Sequence, residues 1–200
     1  MPLRVTVNRV RTGLLVMFVS AAGLIGSPII SVEPSTPNPT VGENFTVNVL
    51  ASDVTDLYAF QFDLGFDPSV LQVDSVSEGP FLAGGGSTFF IPGTIDNIGG
   101  SVSDNADSLL TAISGVNGSG TLVSFDFTAL EPGLSSLTAF NLILLDSSLS
   151  GIDATVNNSS VTLPGSAVPE PRSTGLILCG GLLLLICLRR RGLAHRPFVG

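Results

Sequence analysis

The side chains in this sequence that could do chemistry are carboxylates. A glycoside hydrolase needs only two of them, one as general acid and one as nucleophile or base. Five aspartates in the middle of the chain could supply such a pair: Asp63, Asp67, Asp74, Asp104 and Asp107. Each falls on a predicted outward strand position or in a predicted turn, where aspartate is common for structural reasons. Glycoside hydrolysis is therefore the weakest of the functional hypotheses.

Other catalytic and metal chemistries lack their residues in the middle of the chain. The only histidine, His195, lies near the C-terminus, and the chain has no lysine. Triads, cysteine-histidine pairs and histidine metal sites need histidine, whereas P-loops and Schiff bases need lysine. The run Asp104-Asn105-Ala106-Asp107 offers oxygen ligands, but the glycine-containing calcium-loop motif is missing. We therefore predict a solvated turn there, and expect no metal, no cofactor and no enzymatic activity.

Charge is divided sharply along the chain. The eight basic residues lie near its two ends: Arg4, Arg9, Arg11, Arg172, Arg189, Arg190, Arg191 and Arg196. All sixteen acids lie between Glu33 and Glu170. Because phosphate binding requires basic side chains that displace counterions, nucleic acid is excluded as a partner of the acidic middle. Both cysteines, Cys179 and Cys187, lie in a C-terminal apolar run, so the middle must be stabilised by a packed core and not by disulfides.

The first 22 residues have the pattern of a secretory signal peptide. Arg4, Arg9 and Arg11 form a basic start, an apolar stretch runs from Gly13 to Val19, and small residues follow. We predict cleavage after Ala22, with a proline-containing linker that extends to about residue 30. The protein is therefore expected to be exported to the cell envelope or the extracellular space.

The C-terminal segment combines three unlike parts. Residues 164–173 form a linker that contains Pro169-Glu170-Pro171, residues 174–188 are apolar, and residues 189–200 form a basic tail that begins with Arg189-Arg190-Arg191. The uninterrupted apolar run from Gly175 to Leu188 would form a helix of roughly 21 Å, which is shorter than the ~30 Å hydrocarbon core. We therefore favour a hydrophobic helix that anchors the chain transiently in the inner membrane. A retained tail anchor is the alternative.

This tail resembles the PEP-CTERM sorting signal of Gram-negative bacteria. The resemblance rests on Pro169-Glu170-Pro171, the leucine-rich run and the cluster Arg189-Arg190-Arg191. It implies that an exosortase-type enzyme recognises the tail, cuts at or near the Pro-Glu-Pro motif and discards the hydrophobic segment. It also implies a bacterium that makes extracellular polysaccharide.

Apolar and polar residues alternate in several stretches of the middle of the chain, which is typical of half-buried β-strands. The clearest of these stretches are Phe45–Val49, Tyr58–Phe66, Leu71–Val73 and Thr121–Ala129. A turn at Asp67-Pro68-Ser69 separates the second from the third. A helix is excluded at these positions because a period of two residues would distribute the apolar side chains around all of its sides.

The remaining strands are less clearly marked. The glycine-rich stretch from Gly79 to Gly120 predicts short strands at Thr88–Ile91 and Leu109–Ser114, and a tight turn framed by Gly115, Gly118 and Gly120. The nearly continuous apolar run Leu137–Leu145 predicts a strand that is covered on both faces or carries a bulge. A short edge strand at Ile30–Glu33 and a last strand or hairpin around Asn157-Asn158 bring the total to eight or nine. Their number and spacing predict an all-β, antiparallel β-sandwich.

Residues 30–163 resemble a cohesin domain. Five landmarks carry the resemblance: Val41–Val47, Leu57–Phe62, Phe66–Leu71, Gly118–Leu122 and Leu144–Asp146. The resemblance implies a nine-stranded jelly-roll sandwich with a non-catalytic role, which is to bind a dockerin-bearing protein. The alternative is a polysaccharide-binding or structural matrix protein. Because the chain has no Trp and a single Tyr, Tyr58, it has few side chains for sugar stacking, and its composition favours a protein partner.

Overall fold

The computed structural model describes residues 26–165. The predicted cleavage site at Ala22, the Pro169-Glu170-Pro171 motif, the apolar segment 174–188 and the cluster Arg189-Arg190-Arg191 lie outside this range. Within residues 26–165, no helix is long and apolar enough to cross a membrane.

The described residues form nine strands and one short helix. In chain order these are β1 (Ile29–Pro34), β2 (Asn44–Gly65), β3 (Leu71–Glu78), α1 (Pro80–Ala83), β4 (Ile91–Asp96), β5 (Ser101–Ser108), β6 (Val116–Ala129), β7 (Gly133–Asp146), β8 (Thr155–Asn157) and β9 (Ser159–Leu163). The number of strands agrees with the predicted nine-stranded sandwich.

The strands form two layers that share β2. The first half of β2 lies in the order β3-β6-β2-β1-β8, and its second half lies in the order β4-β5-β2-β7, with β9 paired to the first part of β7. All pairs are antiparallel except β1 with β8, which run parallel over three residues. Strand β1 is therefore paired on both sides and is not the edge strand predicted from its prolines.

Strand β2 changes layers at two aspartates with left-handed backbone conformation. Asp53 and Asp56 have φ values of 55° and 58°, and the register between β2 and β6 shifts on both sides of Val54. Aspartate tolerates this conformation better than most residues because its short side chain can form local hydrogen bonds. The two bends allow one strand of 22 residues to contribute to both layers.

The core lies between the layers and is built from the alternating faces predicted above. Phe62 of β2 and Phe125 of β6 are both fully buried and meet edge to face across the layers, with ring centroids 6.3 Å apart. Phe45 and Phe127 are register partners within one layer and stack at 5.8 Å. The buried hydrophobic side chains of residues 26–165 form a single core that extends from Ile30 to Leu163, and a core of its own is what a domain needs to fold alone.

The predicted positions of the middle strands are wrong. Strand β4 occupies Ile91–Asp96 where Thr88–Ile91 was expected. After β5, Leu109 forms only an isolated bridge with Thr88, and residues 110–114 form a loop. The run from Asp104 to Asp107, expected to be a solvated turn, lies within β5, and Asn105 and Asp107 are buried. Pairing with β2 and β4 on either side overrides the low strand propensity of these polar residues.

The predicted turn around Gly118 is also wrong, because Gly118 and Gly120 lie within β6. A Cβ atom on Gly120 would lie 2.7 Å from the ring of Phe81 in α1, and one on Gly115 would lie 2.4 Å from the backbone of Asp56. These glycines therefore permit close approach of neighbouring segments.

Two of the alternatives predicted for the C-terminal strands are now decided. Strand β7 carries a bulge, since Asn141 has a φ value of 52° and the register with β2 shifts between Gln61 and Asp63. The residues around Asn157 and Asn158 do not form a hairpin, because β8 pairs with β1 and β9 pairs with β7.

Asn97 acts as a short substitute for a strand partner. Its side-chain amide accepts a hydrogen bond from the backbone N–H of Val73 at 2.9 Å and donates one to the carbonyl oxygen of the same residue at 3.0 Å. Val73 lies in β3 next to a register shift. The turn after β4 therefore supplies hydrogen-bond partners to the backbone at the outer edge of β3 and joins the two layers.

Replacing Asn97 by alanine is expected to lower the free energy of unfolding by about 1–3 kcal/mol, because both backbone groups of the buried Val73 lose their partner. Urea denaturation of residues 26–165 measures the change. Asn38→Ala removes an exposed asparagine and is expected to have little effect. Equal losses in the two variants would contradict the role of Asn97.

Candidate functional site

An apolar groove crosses the outer face of the layer β4-β5-β2-β7. Strand register aligns one row of four side chains, Ile91, Ala106, Gln61 and Ile143. A second row, Phe89, Ser108, Ala59 and Leu145, is aligned by the β2 register and by the hydrogen bond from Phe89 N–H to the Ser108 carbonyl oxygen. The eight side chains line a cavity of about 270 Å³.

The groove has a small-residue floor between large apolar walls. Ala59, Ala106 and Ser108 lie on the two central strands. Phe89 and Ile91 form one wall and are 60% and 43% exposed, and Ile143 in the opposite wall is 48% exposed. Three strand spacings of about 4.8 Å separate the walls, giving roughly 14 Å, and a helix with its side chains is about 10–12 Å across. The groove therefore has the width of one helix.

A polar cluster closes one end of the groove and is organised by Asp63. Its carboxylate accepts hydrogen bonds from the backbone N–H of Asp104 at 2.7 Å and from the side-chain amide of Asn141 at 2.7 Å. Asp104 and Asn141 are the left-handed residues of the bulges in β5 and β7. Asp63 is 8% exposed, so it is more buried than the predicted outward strand position implies. Asp63 thus ties the bulge of β5 to the bulge of β7 on either side of β2, and this connection fixes the shape of the groove at that end.

The outer face of the other layer is polar and internally hydrogen bonded. Asp126 accepts from the hydroxyls of Ser75 at 2.8 Å and Thr46 at 3.1 Å, and Asp74 accepts from Thr128 at 2.6 Å. The polar side chains on this face hydrogen bond to one another across the strands, whereas the apolar side chains of the groove walls are exposed to solvent. The groove is therefore the better candidate for a binding surface.

The five aspartates considered as catalytic candidates are not brought together at one place. Asp63 and Asp104 meet through a backbone N–H, Asp74 lies on the opposite layer, and Asp67 forms the predicted turn by accepting from the N–H and hydroxyl of Ser69. These hydrogen bonds lower the pKa of Asp67 below its ordinary value. Within residues 26–165, no group of three or more His, Cys, Asp or Glu side chains could hold a metal ion.

Asp56 joins three segments at the end of the sandwich beside the groove. Its carboxylate accepts from the Ser147 hydroxyl and the Gly115 N–H, both at 2.6 Å, and these bonds lower its pKa below the ordinary value. The hydrogen bond from the Ser147 hydroxyl makes the largest contribution to the lowered pKa of Asp56. The carboxylate thus connects the strand that changes layers to the loops that follow β5 and β7.

Asp107 is the one described carboxyl whose pKa is raised, to about 7, first because it is buried and second because the Glu78 carboxylate lies beside it. It is 2% exposed and is flanked in β5 by the groove residues Ala106 and Ser108. Its Oδ1 atom accepts from the Ser108 N–H at 2.8 Å. The expectation that Asp107 lies in a solvated turn is therefore wrong.

Sequence reasoning did not identify the groove, although one signal for it was present. The run Leu137–Leu145 is apolar on both faces, and this pattern predicted a strand that is covered on both faces or carries a bulge. In the structure the outward side chains Phe140 and Ile143 remain 40% and 48% exposed. The opposite wall, Phe89 and Ile91, could not be assigned to the same site, because two successive strand pairings, β4 with β5 and β5 with β2, bring it there.

Comparison with protein families identifies one match. The family model described as the cohesin domain matches residues 30–163, which include all nine strands except the first residue of β1. A search of curated proteins found no match.

Several solved structures share the fold of the described residues. The second type II cohesin module from the adaptor scaffoldin of Acetivibrio cellulolyticus is 16% identical, with a TM-score of 0.60, and the match covers 76% of this chain and 100% of that chain. A type I cohesin–dockerin complex from Clostridium thermocellum gives 13% identity, a TM-score of 0.59 and coverage of 70% and 100%. A non-cellulosomal cohesin from the archaeon Archaeoglobus fulgidus is 14% identical, with a TM-score of 0.56, and the match covers 71% of this chain and 94% of that chain.

Proposed function

The chain belongs to the cohesin domain family, and on this basis we propose that it is an exported, non-catalytic binding module whose groove binds a dockerin-like partner protein. The observation that carries the proposal is the pair of walls, Phe89 with Ile91 and Ile143 with Leu145, on either side of a floor of small side chains. An amphipathic helix that fills this groove would remove all four wall side chains from water. The chain supplies the receptor surface, and the partner supplies the helix.

The charge of the module indicates what surrounds the apolar strip of the partner helix. Of the sixteen acids only Glu170 lies beyond residues 26–165, and these residues contain no Lys, Arg or His. Asp104 accepts a weak hydrogen bond at 3.3 Å from Gln61 in the groove, and Asp146 directly follows the wall residue Leu145. We therefore expect a partner helix with Lys or Arg on its flanks, since such charges speed association and disfavour acidic competitors.

A polysaccharide partner is the second candidate. It is favoured by the resemblance of Pro169-Glu170-Pro171 and the following residues to a sorting signal of polysaccharide-producing bacteria. The groove offers it a single exposed aromatic side chain, Phe89. Tyr58 lies outside the groove and donates its hydroxyl to the Thr111 carbonyl oxygen. Sugar binding by stacking generally needs exposed aromatic faces, so the geometry supports a helix better than a glycan.

The binding proposal is tested with residues 26–165 and a panel of calcium-loaded dockerin modules, in parallel with polysaccharide from a PEP-CTERM-bearing host. Titration calorimetry of the unaltered protein and Phe89→Ala measures affinity, and Leu134→Ala is the control. Phe89 and Leu134 are both 60% exposed, but only Phe89 lies in the groove. Loss of dockerin binding in Phe89→Ala alone supports the proposal. Binding of glycan only, or equal effects of both substitutions, contradicts it.

We also propose that the chain is delivered by signal-peptide export and exosortase-type sorting. The predicted cleavage after Ala22, transient inner-membrane anchoring by residues 174–188, and recognition of Pro169-Glu170-Pro171 with Arg189-Arg190-Arg191 support this route. Intact-mass spectrometry of protein recovered from the cell surface is expected to find a C-terminus near Glu170. Mature protein that still contains His195 would rule out removal of the tail.

A further inference from the structure

A buried aspartate, Asp107, and an exposed glutamate, Glu78, lie close together behind the floor and one wall of the groove. Asp107 projects into the interior between Ala106 and Ser108, and its register partner in β2 is the buried Phe60. Its Oδ2 atom is buried and contacts no hydrogen-bond donor of the described residues. The charged group that faces it is the carboxylate of Glu78, at the end of β3.

Two carboxylate oxygens are stable side by side in such a place when one of them carries a proton. An unpaired buried carboxylate next to a second negative charge would bear both a desolvation cost and a Coulomb repulsion. A shared proton removes one charge and supplies the donor that Asp107 Oδ2 otherwise lacks. The same reasoning applies to other carboxyl pairs that hold a single proton between them.

Glu78 connects this pair to the wall of the groove. Its Oε1 atom accepts a hydrogen bond from the hydroxyl of Thr88, and Thr88 forms an isolated bridge with Leu109 just after β5. The next residue is Phe89, the more exposed wall residue. The contact between Glu78 and Thr88 closes the segment 79–87, which carries α1 from one layer to the other. The contact between Glu78 and Thr88 therefore helps to hold the segment that carries Phe89, together with the hydrogen bond from Phe89 N–H to the Ser108 carbonyl oxygen.

We propose that Asp107 and Glu78 share one proton, and that loss of this proton releases Glu78 and Thr88, displaces Phe89 and weakens binding of the partner in the groove. The binding step rests on the function proposed above, whereas the shared proton does not. On the acidic side of neutrality the groove is formed, and on the alkaline side its wall at Phe89 is loosened. By linkage, a bound partner also increases the affinity of the pair for its proton.

The dependence of stability on pH has a defined direction. The pKa of Asp107 is about 7 in the folded protein against an ordinary value of 3.8, so the folded state holds the proton more tightly than the unfolded chain. The stabilisation is therefore complete below about pH 4 and declines as the pH rises to about 7. Glu43, Asp56, Asp67 and Asp96, whose pKa values are lowered, act oppositely, and the stability they contribute is lost only as the pH falls below about 4.

The shared proton is tested without any partner, on residues 26–165. Urea denaturation at about pH 5 and pH 8 compares the unaltered protein with Asp107→Asn, which keeps a donor toward Glu78 at every pH. Asp153→Asn removes an exposed carboxylate and is the matched control. The denaturation midpoint is expected to fall between the two pH values in the unaltered protein and in Asp153→Asn, and to stay nearly constant in Asp107→Asn. An equal fall in all three proteins overturns the shared proton.

Two further measurements follow the proton and its effect on the groove. Carbon-13 NMR of the Asp107 carboxyl is expected to show a titration midpoint near neutrality, and a midpoint near 4 overturns the pair. Affinity for a calcium-loaded dockerin module that binds at acidic pH is expected to weaken about fivefold or more at pH 8, except in Asp107→Asn. If the pH dependence of stability is as expected but the affinity is the same at both pH values, the coupling to Phe89 is overturned. Absence of binding at any pH overturns the proposed function alone.

Discussion

Substituting phenylalanine for Ala106 is expected to weaken partner binding by about 100-fold or more, the equivalent of about 2.7 kcal/mol. Ala106 lies in the floor of the groove, in the row between the wall residue Ile91 and Gln61. A phenyl ring there would occupy the space that a bound helix needs, and binding energy is concentrated in such central, well-packed positions. Since aromatic residues favour strands, the domain is expected to remain folded.

The matched control for this substitution is Ser136→Phe. Ser136 is an exposed residue of β7 that lies far from the groove lining, so the same side chain is added to the same layer without entering the groove. Calorimetry with a dockerin module that binds the unaltered protein distinguishes the two variants, and thermal denaturation checks that both are folded. If Ala106→Phe binds as tightly as Ser136→Phe, the partner does not enter the groove.

Substituting alanine for Phe62 is expected to lower the free energy of unfolding by about 3–5 kcal/mol, which is a large part of the stability of a domain of this size. Phe62 is fully buried and contacts Phe60 at 5.9 Å and Phe125 at 6.3 Å between ring centroids. Its removal would leave a cavity at the contact between the two layers. Urea denaturation of residues 26–165 measures the loss.

The control for the core substitution is the groove variant Phe89→Ala, which removes the same side chain from a position that is 60% exposed. Its stability is expected to change by less than about 1 kcal/mol, because little apolar area is returned to water. The two substitutions should therefore affect different properties: Phe62→Ala should lower stability, and Phe89→Ala should weaken binding. Similar losses of stability in both variants would show that the groove wall is part of the core.

The strands with strict alternation could be predicted from the sequence. In the stretches Phe45–Val49, Leu71–Val73 and Val123–Ala129, the buried residues are those that the period of two assigns to one face, including Val47, Val73 and Phe125. The prediction works here because a pleated strand with one face on the core must alternate. The cohesin resemblance, which rests largely on these same segments, agrees with the family match.

The middle of the chain could not be placed in the same way. Strand β5 contains Asp104, Asn105 and Asp107, residue types with low strand propensity, and a register shift near Asp104 interrupts its alternation. Burial of Asn105 and Asp107 follows from the partners on both sides of the strand. A local pattern of polar residues predicts a turn. These residues form a strand because β2 and β4 pair with them on both sides.

By itself, the sequence determined that this protein has an all-β body with an apolar core and that the body lacks every basic side chain, and it showed that the two ends of the chain resemble targeting signals. Periodicity, composition and motif spacing are local properties, and each is complete within a short stretch of chain. Tertiary structure alone decided that Phe89, Ala106, Ala59 and Ile143 share one groove and that Asp107 faces Glu78. These neighbours are brought together by strand register and bulges, and a shift of a single residue would turn each side chain to the opposite face.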